Sequence, residues 1–142
     1  MTKKMSYKVV AKYIKNLKFN ISKPDIFLSL SKNISNYKFK IDIKSNGFKN
    51  NIIEIETSLA LVPRSKEIDV IDAVVTFSTL VELDKNLDKK KDLEEIILIK
   101  IPNEIYPELR KIFIFLFETS GFREINIDEN VDFRKLYLSR KN

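Results

Sequence analysis

Between Tyr37 and Lys44 apolar and polar side chains alternate without a break. Tyr37, Phe39, Ile41 and Ile43 fall on one face, and Lys38, Lys40, Asp42 and Lys44 on the other. Period-two patterning marks a half-buried strand. The same alternation over 52–62 sets Ile53, Ile55, Leu59 and Leu61 against Glu54, Glu56 and Ser58, and Pro63 stops it. Residues 68–83 are apolar on much of both faces, which predicts a third strand covered on both sides. Turn residues at 45–51 and "RSKE" separate these segments, so they read as an antiparallel meander. Upstream, Leu17-Lys18-Phe19-Asn20-Ile21 reads as a short strand ended by Pro24, after a mobile start over 1–10. Residues 25–35 fit a short helical turn or an irregular connection.

After residue 84 the period changes. A charge-rich stretch, 84–95, leads into 96–121, where Ile105, Leu109, Ile112 or Phe113, and Leu116 follow helical spacing. Pro102 breaks or kinks this helix or sits in an early turn, and Pro107 does so again or begins the next segment. Gly121 is placed as a C-cap. Val131, Leu136 and Tyr137 fit a short terminal helix. Strands first and helices second define an α+β domain, one unit over 11–142. Ile112–Phe117 is a run of six apolar residues, three of them Phe. A sheet covers one face of such a helix through Leu109, Ile112, Phe113 and Leu116. Ile114, Phe115 and Phe117 are left to meet something else.

Composition narrows the function by exclusion. The 142 residues contain no Cys and no His, which removes thiolate chemistry, disulfides and the usual neutral-pH base. Two glycines cannot build a phosphate-cradling loop. No arrangement of the remaining carboxylates, lysines and arginines forms a catalytic motif, so the chain is not expected to be an enzyme or to carry a cofactor or metal. The longest fully apolar run is too short to span a bilayer and the first residues lack a signal-peptide core, so a cytoplasmic location without membrane insertion is expected. The net charge of +6 is carried by dispersed lysines, many interleaved with Asp and Glu.

In order and spacing the segments resemble the SecB family of protein-export chaperones. "YIKNLKFNISKPDIF" (13–27) resembles that family's opening strand. "IPNEIYPELRKIFIFLFETSGFREINIDENVDF" (101–133) resembles its proline-marked helix and the connection that follows, through the series Pro102, Pro107, Arg110, Gly121, Phe122, Asp132 and Phe133. "VVTFSTLVEL" (74–83) sits where the family carries its third strand. The resemblance spans about residues 11–138. It implies a four-stranded antiparallel sheet packed with a long broken helix and a short C-terminal helix. It also implies a homotetramer, a dimer of dimers, that holds unfolded preproteins without nucleotide and passes them to the motor SecA. In the family's register Ile71, Ala73, Val75 and Phe77 fall on the face linked to the dimer interface and client groove. Ile114, Phe115 and Phe117 fall to an oligomer interface or groove. Asn16, Asn20 and Val74 stand where the family offers acidic groups to SecA, so docking by that charge pairing is weakened.

Two other readings compete. A SecB-like chaperone dedicated to one partner, such as an antitoxin, fits the lost acidic positions. A nucleic-acid-binding module fits the net charge and the aromatic-basic interleaving of "YKFK" and "YIKNLKF". Alternation already puts Tyr37 and Phe39 on the face opposite Lys38 and Lys40, so nucleic acid is not an expected partner.

Overall fold

The computed structural model describes residues 7–68, 71–84, 90–122 and 125–141. In chain order these form β1 (Tyr7–Asn20), α1 (Pro24–Lys32), β2 (Tyr37–Lys49), β3 (Ile52–Pro63), β4 (Asp72–Leu83), α2 (Lys90–Glu95), α3 (Ile101–Thr119) and α4 (Phe133–Lys141). All four strands lie in one antiparallel sheet of order β1-β4-β3-β2. The meander expected from alternation is β2-β3-β4, and β1 completes the sheet beside β4.

Two strands are longer than local patterning indicates. β1 starts at Tyr7, so four residues assigned to a mobile start belong to the sheet, and residues 1–6 lie outside the described residues. Register shifts between Val9 and Ala11 and between Ile14 and Asn16 break its alternation. Such bulges hide a strand from a period-two search. β2 continues to Lys49 through a shift at Gly47, and the turn shrinks to Asn50 and Asn51, with Asn50 at φ 29°.

The face carrying Phe39, Leu59, Val75 and Phe77 lies under the helices, and the face carrying Lys40, Ser58, Val74 and Thr76 is open. From 90 to 119 the helical run is continuous rather than broken. Its wide turn at Ile96–Lys100, in which the Ile101 amide bonds the Ile96 carbonyl five residues back, lies just before Pro102. That loosened turn gives the proline ring room, and Pro102 then occupies the first turn of α3. Pro107 faces water, where the carbonyl it leaves unpaired can be hydrated.

Ile101, Ile105, Leu109, Phe113 and Phe117 recur every four residues and bury one stripe of α3 on β3 and β4. Phe113 and Phe117 are 0% exposed. Their rings stack at 5.5 Å, with Phe39 5.6 Å from Phe113, and Phe19 and Phe122 at 5.0 and 5.2 Å from Phe117. Each edge-to-face or stacked pair adds about 0.5–1.5 kcal/mol beyond area burial. Gly121 adopts φ 108° past the end of α3, and the Phe122 amide bonds back to the Phe117 carbonyl at 3.0 Å. This cap turns Phe122 onto Phe117 and toward Phe27, 4.9 Å away.

Candidate functional site

The connection between α3 and α4 does not pack flush against the sheet. It stands off β2 and α1 and leaves a series of hollows with apolar floors and partly polar rims. One, about 330 Å³, is lined by Phe27, Leu30, Ile34, Phe122 and Ile125. A second, about 430 Å³, has a mixed lining, apolar from Tyr37, Phe39, Ile41, Leu59, Ile127 and Val131 and polar from Ser35, Lys38, Arg64, Asn126 and Asp128. Ile34 belongs to both. Phe27 links the first to an open hollow at Phe19 and Ile21, and Ile41 links the second to a cleft between Ile43, Leu98, Leu136 and Tyr137. Together they make one trough from the end of β1, past α1, along β2 to α4.

The outer wall is held by polar contacts to α3. The Tyr106 hydroxyl donates to the Asp128 carbonyl, and Arg110 Nε donates to the Ile127 carbonyl at 3.0 Å. Burial, with the Asp128 carboxylate nearby, pushes the Tyr106 phenol above its ordinary pKa, so it stays a neutral donor. The Tyr106 ring meets Phe133 at 6.0 Å, where α4 starts, and Asp132 caps that helix by accepting from the Lys135 amide at 3.0 Å. The Arg110–Asp132–Phe133 series therefore builds the wall of the trough.

Few of the site residues expected from sequence lie there. Ile71, Ala73, Val75 and Phe77 are all in the core, between 0% and 6% exposed. Within the subunit they lie beneath the helices, because odd-numbered residues of β4 point that way and α3 packs on β4. Phe117 is buried in the same way, since it closes the four-residue stripe of α3. Ile114 is half-buried, and Phe115 is 64% exposed. Phe115 shares its flank of α3 with Glu104 and Glu108, which reach Tyr7 and Lys12 of β1. Ile14 and Leu17, 45% and 42% exposed, lie on the same side of β1, giving an apolar flank separate from the trough.

Asn16, Asn20 and Val74 do share one surface, the open face. Asn16 pairs with Thr76, Lys18 with Val74, and Asn20 with Asp72. Further along this face Lys15, at the β1 bulge, reaches Glu54 at 2.9 Å and Glu56 at 3.3 Å, and Ser78 donates to Glu54 at 2.6 Å. The Ser78 and Lys15 hydrogen bonds hold the Glu54 carboxyl below its usual range. The central carboxylates of this face are thus already engaged. Tyr37 and Phe39 lie on the helix side, away from Lys38 and Lys40, so these aromatics and lysines make no common stacking platform.

The trough residues not expected as site residues from sequence are Phe27 and Leu30 of α1, Ile34 just beyond it, and Phe122, Ile125 and Ile127 of the connection. The usable signal was the alternation Ile125-Asn126-Ile127 in a segment without a strand partner.

A long groove whose floor is Phe, Ile and Leu suits a protein that holds other polypeptides, as chaperones do. The family described as preprotein translocase subunit SecB matches the chain over residues 1–142. A curated relative, the putative protein-export protein SecB of Pelagibacter ubique (strain HTCC1062), is 34% identical over 137 residues, covering 96% of this chain and 98% of the relative. The chain belongs to the SecB family of protein-export chaperones. Among solved structures, a SecB-like chaperone of Mycobacterium tuberculosis in complex with a ChAD peptide from the HigA1 antitoxin is similar. Its TM-score is 0.61, at 9% identity, covering 89% of this chain and 88% of that one. That likeness carries the fold; the antitoxin peptide is that protein's own.

Proposed function

We propose that this protein is a nucleotide-independent holdase that keeps unfolded preproteins in extended form along the trough for export through the Sec translocon. The succession of adjacent hollows, which share Phe27, Ile34 and Ile41, carries this reading. An unfolded chain exposes apolar groups in succession, and a trough that takes several at once accumulates about 25 cal/mol for each Å² buried. Adaptable linings of Phe, Ile and Leu suit many clients, since such binding needs no fixed polar constellation.

The apolar flank of Ile14, Leu17 and Phe115 supports self-association, in the reading a homotetramer built as a dimer of dimers. SecA is the proposed receiver on the open face. Asn16, Asn20 and Val74 place no carboxylate there, so charge contributes little to docking at those positions. The proposed site of action is the cytoplasm; among the described residues no helix is long and apolar enough to cross a membrane.

The test is aggregation of a denatured preprotein diluted into buffer, followed by light scattering. The protein is expected to suppress it without nucleotide, and Ile41→Asp with Phe39→Asp to lose most of that suppression. Full suppression by this double variant would place the client elsewhere, and no suppression by the folded wild type would end the reading.

A further inference from the structure

β2 is at once the wall of the trough and the last strand of the sheet. Among the described residues no strand pairs with its outer edge. A strand so placed carries a row of unpaired amides and carbonyls, a template for one more strand. Its two faces differ in chemistry. Phe39, Ile41 and Ile43 are half-buried toward the trough, while Lys40 and Lys44 are exposed on the open face and Lys38, also exposed, borders the trough hollow at the strand's start.

The lysines lack balanced charge at the start of the strand. Across β3, Lys38 is paired with Val62 and Lys40 with Ala60, and only Lys44 has a carboxylate opposite, Glu56. Asp42 approaches Lys40 to 3.8 Å with both side chains more than half exposed, a contact too hydrated to neutralise it. A second copy of β2 offers a single carboxylate, Asp42, against Lys38, Lys40 and Lys44 and leaves the edge's positive charge unbalanced, so a different, acidic chain is the better-matched occupant.

We infer that the free edge of β2 adds an extended client segment as a fifth strand, and that it selects segments in which apolar residues alternate with acidic ones. Apolar side chains enter the trough beside Phe39 and Ile41, and carboxylates stand across from Lys38 and Lys40. Opposite charges facing each other on paired strands are favourable and like charges are not. The inference rests on the trough being the client site and adds how the client backbone lies there and which client it prefers.

The experiment uses the intact protein and three fluorescein-labelled twelve-residue peptides, read by fluorescence anisotropy. One alternates Val or Tyr with Glu, a second carries Lys for every Glu, and the third scrambles the first. The alternating acidic peptide is expected to bind about tenfold tighter than the lysine peptide, and to lose this advantage as salt rises. Lys38→Glu with Lys40→Glu is expected to reverse the order. Alternate N-methylation of the acidic peptide's backbone is expected to abolish its advantage over the scrambled one. Equal binding of the alternating and scrambled peptides, or an acidic preference that survives in the double variant, overturns the inference. Aggregation suppression measured alongside stands or falls separately, so loss of strand addition is distinguished from loss of the holdase activity.

Discussion

Phe115 and Phe117 are two residues apart in one helix and have opposite fates. Two positions along an α-helix turn the side chain by about 200°, so when Phe117 points at the sheet Phe115 points away. Phe117 is 0% exposed and touches Phe19, Phe113 and Phe122. Phe117→Ala is expected to cost about 3–5 kcal/mol in chemical denaturation, as for a buried aromatic. Phe115→Ala is expected to change subunit stability by less than about 0.5 kcal/mol. A loss of similar size for both would mean that Phe115 is core as well. Sequence could not separate them by composition, because six apolar residues in a row erase the period. The four-residue recurrence from Ile101 through Leu109 to Phe113 marks the buried stripe when carried one step further. Gly121 was legible as a cap; that it folds Phe122 back under the trough became visible only with Phe27 in place.

At the scale of elements, β1 shows how far local pattern reaches. Its bulges shift the alternation twice, so only the last, regular stretch read as a strand. The bulge at Lys15 has a consequence: it aims the ammonium across β4 at Glu54 and Glu56 of β3. The Ser78 and Lys15 hydrogen bonds lower the Glu54 pKa in the folded state. The stability it contributes is therefore full above the unfolded-state pKa and is lost as pH falls through the lowered folded one. In thermal melts Glu54→Gln is expected to fall below wild type at neutral pH and to converge with it as pH falls through the lowered folded-state pKa. A gap that stays constant over that range would show that the carboxylate's charge is not what matters. The helix illustrates the opposite error. Of the alternatives open for Pro102 the early turn is the one realised, after a loosened turn, whereas Pro107 neither breaks the helix nor begins a segment because it faces water, a circumstance not written in the local sequence.

At the scale of the molecule, the α+β order and the sheet were legible because alternation and helical spacing occupy separate halves of the chain. The trough was not, because it forms between α1, β2 and a connection more than eighty residues apart in sequence. The exposed flank of Ile14, Leu17 and Phe115 belongs to this scale also. Light scattering of the purified protein is expected to give a mass of several subunits, and Phe115→Asp to lower it. A strict monomer at every concentration would refute the proposed assembly.

The central claim is that the client lies in the trough. Its most direct test places a photo-activatable benzophenone side chain at Phe39 in one sample and at Asn16, on the open face, in another, each mixed with an unfolded preprotein. The account predicts strong cross-linking from Phe39 and little from Asn16; cross-linking from Asn16 with none from Phe39 would contradict it.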